Sequence, residues 1–194
     1  DLMRSAIEAC GAPADLVQGI EIPSLDLTNE LMAQCDRVLA TGGGAMVTAA
    51  YSSGTPALGV GVGNAVITVD ETADLDDAAE KIRMSKTLDF AASCSSDNSV
   101  ILVNEIYENM MSKLKEKGGY LVNDEEKEKL KNTLWDDEGH INTAMVAQPA
   151  EKIANMANID IPEGTQFYIV PENGWGKEHP FSGEKMSVIM ALYK

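Results

Sequence analysis

The sequence is poor in residues that staple a chain or ligate metals. Of its 194 residues, three are cysteine and two are histidine. Cys10, Cys35 and Cys94 form an odd set without the close spacing of a metal knuckle, and His140 and His179 stand far apart. Neither a disulfide framework nor a metal site is therefore expected. Basic residues are scarce too: 15 Lys and Arg against 31 Asp and Glu leave a net charge of −16. That excludes a broad nucleic-acid footprint and adhesion to an anionic membrane. Anionic small molecules stay open, received by backbone N–H groups or a few local cations. The longest uncharged stretch, residues 38–69, is broken by Gly, Ser, Thr and Pro56, so no membrane-spanning run is expected. With 16 Gly and 7 Pro the chain is not fibrous or disordered in composition, and 44% hydrophobic residues suffice for a core. The start, Asp1-Leu2-Met3-Arg4, has no signal-peptide pattern and no initiator Met, and reads as part of a longer cytoplasmic polypeptide.

The pattern that is present is α/β. A helix is expected to end near Gly11, and Pro23-Ser24-Leu25-Asp26 starts a second one through Met32. Arg37-Val38-Leu39-Ala40 is a strand that feeds Thr41-Gly42-Gly43-Gly44, and a helix follows from Ala45 to Tyr51. Strands are predicted over 56–60 and 65–69, separated by the permissive turn Gly61-Val62-Gly63-Asn64. Leu75, Ala78, Ala79 and Ile82 recur at helical spacing over 74–86, in a helix whose charged face needs only solvent. The polar residues 92–98 lead into a strand over 99–103, and Asn104 is expected to cap a helix toward Lys117. A short strand over 120–122 precedes an Asn123/Glu126 capping box and a Lys/Glu-rich helix to Leu134. After a helix over 150–157 come strands over 167–170 and 187–192, the last read as an edge strand. The division of roles falls at residues 85–87, giving regions 1–85 and 86–194.

Several residues carry candidate chemistry. Gly42, Gly43 and Gly44 fit either an ordinary tight turn or a phosphate- or ribose-binding turn at a helix N-terminus, without the spaced dinucleotide fingerprint or the phosphate-loop lysine. Gly59, Gly61 and Gly63 fit turn geometry or a surface for a flat ligand. Cys94, flanked by Ser93, Ser95 and Ser96, is either an inert thiol or a nucleophile whose thiolate is favoured by nearby N–H groups. Its own backbone N–H could donate to the oxyanion formed on attack. Cys10 and Cys35 are expected to be small buried residues. His140 and His179 read as structural or surface residues, Glu184 as a surface carboxylate, and Trp175 as a loop anchor in preference to a binding platform.

Taken in order, these segments resemble the coenzyme-A-acylating branch of the aldehyde dehydrogenase superfamily over nearly the whole chain. The resemblance rests on residues 39–54, on Pro56-Ala57-Leu58-Gly59-Val60-Gly61-Val62-Gly63-Asn64, on Ser85-Lys86-Thr87-Leu88-Asp89 ahead of Cys94, and on His179-Pro180-Phe181-Ser182-Gly183-Glu184-Lys185-Met186-Ser187. Residues 93–99 look more like the sulfoacetaldehyde type than the ethanolamine-linked acetaldehyde type.

The resemblance implies a partial fold: part of a Rossmann-like cofactor domain over 1–85, then part of the α/β catalytic domain over 86–194. It implies that Cys94 attacks a small aldehyde, that NAD or NADP takes up hydride, and that coenzyme A accepts the acyl group. Thr41, Gly42 and Gly43, with Gly59 and Gly61, fall in the cofactor-binding segments, and Glu184 matches the carboxylate that contacts the nicotinamide ribose. Gly59 stands where hydrolytic members carry a glutamate general base, which implies transfer to a thiol in place of water. Val188 departs from a common Pro. The segment with the family's oxyanion asparagine has no counterpart here, so the isolated chain is expected to turn over little or not at all. The whole protein is expected to be a homo-oligomer, cytoplasmic or enclosed in a bacterial microcompartment. Two other readings remain: a noncatalytic α/β binding or assembly fragment, and a reductase of phosphorylated carboxylates related to glutamyl-phosphate reductase.

Overall fold

A computed structural model describes residues 1–194, which form two compact units, Asp1–Gly61 and Val62–Lys194. In the first unit, α1 (Leu2–Ala9) ends before Gly11, whose φ of +77° suits glycine. Helix α2 (Leu25–Gln34) is started by Ser24, whose Oγ accepts from the Leu27 N–H at 3.1 Å. Strand β1 (Val38–Thr41), helix α3 (Gly44–Ser52) and strand β2 (Ala57–Val60) make one crossover unit, with β1 and β2 parallel and Ala40 opposite Gly59. Its core is small, consisting of Met32, Ala40 and Ala50 with Val38, Met46 and Ala57 against them.

The second unit is built on a five-stranded, all-parallel sheet. Strands β3 (Ala65–Val69), β4 (Asp97–Leu102), β5 (Gly119–Leu121), β6 (Phe167–Pro171) and β7 (Ile189–Tyr193) lie in the order β3-β4-β7-β6-β5. Phe167 to Val170 and Ile189 to Leu192 are buried without alternation, as strands covered on both faces must be. The covering comes from α4 (Leu75–Thr87), α5 (Tyr107–Glu116), α6 (Asp124–Leu134) and α7 (Ala150–Ala157), which bury Ile82, Met110, Leu114, Leu130, Leu134 and Ile153 in one core with the sheet. The Tyr168 hydroxyl donates to the Ala150 carbonyl at 2.7 Å and ties β6 to α7. No helix is long and apolar enough to cross a membrane.

Three expectations are corrected. Strand β7 is central, paired with β4 on one side and β6 on the other; strand order depends on long-range pairing that local pattern does not carry. Strand β3 pairs with β4, so β3 and α4 pack with the second unit. Asn104 opens a 3-10 turn (Asn104–Ile106) and caps nothing; α5 starts after Ile106 with no side-chain cap. Cys10 is exposed and Cys35 half-buried, because α1 buries no residue and α2 buries only Met32.

The Asn123/Glu126 capping box forms as expected: Asn123 Oδ1 accepts from the Glu126 N–H, and the Glu126 carboxylate accepts from the Asn123 N–H, both at 2.9 Å. Asn123→Ala should lower the unfolding free energy by about 1 kcal/mol. An unchanged urea midpoint would show that the box contributes nothing.

Candidate active site

In the first unit, Thr41 is exposed at the end of β1, and the Gly42 N–H donates to the Val60 carbonyl at 3.1 Å. A Cβ on Gly42 would stand 3.2 Å from Met46 Cβ, while one on Gly43 would meet nothing. Gly42 thus lets α3 close onto β1, and Gly43 is open. No side chain caps α3, so its first amides are left for solvent or a ligand acceptor. Gly59 is a residue of β2 and not of a turn. A Cβ there would stand 2.7 Å from Val47 Cγ1 and 2.9 Å from Tyr51 Cε2, and the Gly59 N–H donates to the Tyr51 hydroxyl at 3.1 Å. Gly61 has ordinary room beside Val47.

In the second unit, Cys94 sits exposed in a turn between α4 and β4. The chain reaches it through Asp89, Phe90 and Ala91, whose φ values of 47°, 52° and 61° are all left-handed. Three such non-glycine residues in a row are held only when their surroundings over-determine them. Here Ala91 is fully buried, Ser96 Oγ donates to the Ser85 carbonyl at 2.8 Å, and Ser85 Oγ accepts from the Asp97 N–H at 3.0 Å. Those bonds fasten the C-terminal end of the Cys94 turn to Ser85 in the last turn of α4.

The structure brings Cys94 and Glu184 together at Gly63. A Cβ built on Gly63 would stand 3.2 Å from the Cys94 carbonyl oxygen, 3.9 Å from Cys94 Cβ and 3.6 Å from Glu184 Oε1. Gly63 has no left-handed φ; its use is the close approach of backbone. Glu184 Oε1 is buried and has no hydrogen-bond partner, and such an atom needs a donor to offset its desolvation. Glu184 also lines a cavity of about 930 Å³ whose walls include Lys131, Trp135, Asp136, Lys177 and Ser182, within the size range of cofactor sites. The cavity wall is anchored by Phe181, fully buried with Trp135 edge-on at 4.9 Å.

Other expectations resolve individually. His179 is engaged by the buried Glu172 at 3.1 Å, and Lys127 meets the other oxygen of that carboxylate at 2.9 Å. His140 pairs with Asp136 at 3.3 Å on the surface. Trp175 is 82% exposed and anchors nothing; its loop is held by the Tyr193 hydroxyl, which donates to the Gly174 carbonyl at 3.0 Å.

Four residues that the sequence reading left without a role belong to the site's frame: Asn64, Lys86, Asn98 and Lys185. Lys86, expected on a solvated helix face, is 1% exposed. Burial pulls its ammonium down to about 7, and the Asp97 carboxylate restores only part of this. Lys185 is fully buried; burial and then the charge of Lys86 hold it well below the usual lysine range. The available signal was position: Lys185 directly follows the candidate carboxylate and precedes an apolar strand.

With this geometry in hand, comparison with known proteins identifies the class. The model of the aldehyde dehydrogenase family matches residues 2–169, and the chain belongs to that family. It is 44% identical over 198 residues to a sulfoacetaldehyde dehydrogenase (acylating) of Bilophila wadsworthia, covering all of this chain and 43% of that protein. The crystal structure of an acetylating aldehyde dehydrogenase from Geobacillus thermoglucosidasius superposes with a TM-score of 0.95 at 40% identity, covering 99% of this chain and 43% of that one. A propionaldehyde dehydrogenase of Rhodopseudomonas palustris with bound propionyl-CoA gives 0.87 at 30% identity, over 99% and 43% of the two chains. The chain therefore spans less than half the length of these relatives.

Two outcomes test the site's physics. Gly63→Ala should lower the unfolding free energy by about 1–2 kcal/mol and change the alkylation rate of Cys94, but not of Cys10 or Cys35, in a mass-spectrometric labelling assay. Equal Cys94 rates would refute the close approach. Lys86 has its folded pKa below its unfolded one, so between about 7 and 10.5 the unfolded chain holds a proton that the folded chain lacks. Stability must then rise with pH across that window, by at most about 1.4 kcal/mol per pH unit for one proton. Lys86→Met should flatten this slope in urea titrations at pH 7 to 10, and an unaltered slope would show that Lys86 is not the group responsible.

Proposed function

We propose that the whole protein is a coenzyme-A-acylating aldehyde dehydrogenase that uses NAD or NADP and converts a small aldehyde reversibly to its acyl-CoA. The observation that carries this reading is the meeting of Cys94 and Glu184 at Gly63. An exposed cysteine and a glutamate with one buried, donorless oxygen meet at this glycine, and the same glutamate lines a ligand-sized cavity. The sulfoacetaldehyde enzyme and the propionyl-CoA complex among its relatives support the acylating branch.

Cys94 is the nucleophile. Its thiolate adds to the aldehyde carbon and forms a C–S bond, and the turn's backbone N–H groups, including that of Cys94, receive the negative oxygen. A nicotinamide cofactor, when bound, would supply the hydride acceptor, and loss of hydride from the adduct carbon leaves a Cys94 thioester. The thiolate of coenzyme A then attacks the thioester carbonyl, the Cys94–carbon bond breaks, and the Cys94 sulfur leaves as thiolate. Glu184 fits the cofactor: its unpartnered oxygen can accept from a ribose hydroxyl. Thr41, Gly42 and Gly43 fit the phosphate or ribose region through the uncapped start of α3, with Gly59 and Gly61 in the neighbouring segment.

Gly59 bears on specificity between water and thiol. The hydrolytic branch keeps a glutamate base there, and a side chain at this position would run into Val47 and Tyr51. Without that base, a thiol that is already a good nucleophile is the favoured acceptor.

In this reading the cofactor is bound chiefly by residues 1–85 and the acyl chemistry carried by 86–194. The whole protein is a homo-oligomer, cytoplasmic or enclosed in a microcompartment.

The decisive measurement is covalent. Incubated with acyl-CoA, the whole protein should carry the acyl mass on the peptide containing Cys94, and Cys94→Ala should remove it and lower aldehyde oxidation by at least about 10³-fold. Acylation that survives Cys94→Ala would overturn the reading, as would coenzyme-A-independent turnover of a phosphorylated carboxylate.

A further inference from the structure

Three segments remote in sequence carry the site: residues 62–64 with Gly63, residues 92–96 with Cys94, and residues 180–185 with Glu184. They are stitched together by a small set of hydrogen bonds that run through Lys185 and Asn98. Lys185 Nζ donates to the carbonyls of Phe181 at 2.5 Å, Gly183 at 2.9 Å and Asn98 at 3.3 Å. Asn98, itself 3% exposed, returns the connection: its Nδ2 donates to the Gly183 carbonyl and, at 2.6 Å, to Asn64 Oδ1. Asn64 Nδ2 donates to the Ser182 carbonyl at 2.9 Å and closes the ring.

We propose that Lys185 and Asn98 are positioning residues of the Cys94 centre, a polar clasp that sets how Cys94 and Glu184 face each other across Gly63. The inference rests on the reading of those two residues as nucleophile and cofactor ligand.

The chemistry of the clasp favours this over plain packing. Lys185 is fully buried and has no carboxylate within ion-pair distance; its partners are carbonyls. Burying an amine in this way costs stability, and an apolar side chain of similar volume would fill the space without that cost. What an apolar side chain lacks is up to three N–H donors on one flexible stem. Two of them curl residues 181–183 around the amine, and the third reaches the strand that leaves the Cys94 turn. Glu184 is thereby held between Gly183, which accepts from both Lys185 and Asn98, and Lys185 itself. On the other side, Asn98 lies four residues beyond Cys94 at the start of β4, next to Asp97, whose N–H is already fixed by Ser85. The Cys94 turn is therefore tethered to α4 through Ser85 and to the Glu184 loop through Asn98. Asn64 fixes the residue after Gly63 to the same loop. Each of the three reacting or ligand-facing segments thus takes its position from the other two.

The test uses the whole protein with Lys185→Met, Asn98→Ala and Asn64→Ala. Two readouts apply: steady-state kinetics split into kcat and KM, and iodoacetamide labelling of Cys94 with Cys10 and Cys35 as internal controls. Lys185→Met and Asn98→Ala are expected to lower kcat about 10²-fold, the scale of a misplacement near 1 Å, and to raise KM for NAD(P). Cys94 alkylation should slow while Cys10 and Cys35 keep their rates. Asn64→Ala should move the same quantities less, and Asn64→Ala added to Asn98→Ala should cost little more than Asn98→Ala alone, because the two share a bond. A purely structural role predicts a lower Tm with kcat, KM and Cys94 labelling within about twofold of wild type in folded protein, and that result overturns the proposal. Should Lys185→Met not fold, Asn64→Ala decides, since its side chain lies at the surface. Wild type that makes no acyl-CoA would refute the functional reading instead, and the labelling comparison would still judge the clasp because it needs no turnover.

Discussion

An amine removed from water must find carbonyl or carboxylate oxygens or give up its proton, and at Lys185 the oxygens are the carbonyls of Phe181, Gly183 and Asn98. The site depends on this one arrangement more than on any catalytic side chain. Residues 181–183 take their shape from it, Phe181 is seated against Trp135 as part of the same loop, and Glu184 follows directly. The Asn98 carbonyl extends the arrangement to the strand that begins just after Cys94. Phe181 and Lys185 are thereby fully buried although they lie in a connecting loop.

The two buried lysines differ in how they meet the same constraint. Lys185 is surrounded by acceptors. Lys86 has the Asp97 carboxylate near it but no ion pair within bonding distance, and burial pushes both groups toward their neutral forms. The desolvation penalty outweighs the Coulomb attraction between them, as is common for buried pairs with imperfect geometry. The left-handed residues Asp89, Phe90 and Ala91 lie on the short path from Lys86 to Cys94. Between Lys86 and Cys94 a buried charge and a strained backbone thus occur together in the stretch that presents the thiol.

Much of this was legible in the sequence. Periodicity located the helices and strands, the Asn123/Glu126 spacing announced its capping box, and the glycines after Thr41 marked a strand-to-helix junction. Cys94 stood out because a polar, serine-rich run before an apolar strand is an unusual place for a cysteine. What could not be read was anything decided by distant segments. Lys86 carries a charge and so counts as solvated in a helical wheel, yet its burial is fixed by elements outside its own helix. Gly59 looked like a turn residue because its neighbours are also glycines, while its actual constraint is the proximity of Val47 and Tyr51. Trp175 had the size of an anchor, but Tyr193 from the end of the sheet does that work. Backbone strain at 89–91 has little local signature, since of the three residues only Asp89 is of a type that readily adopts the left-handed region.

The place of β7 has a kinetic consequence. It comes last of the seven strands in the chain but lies in the middle of its sheet, with Ser99 to Ile101 on one side and Tyr168 to Pro171 on the other. A growing chain can pair β3 with β4, and β5 with β6, as each is made. Those two ribbons share no hydrogen bonds until Ile189–Tyr193 has been synthesised and inserted between them. Such long-range parallel pairing is slow to form and leaves strand edges open in the interval. During synthesis, apolar edges at β4 and β6 are the surfaces on which a chaperone, or another nascent chain, would first act.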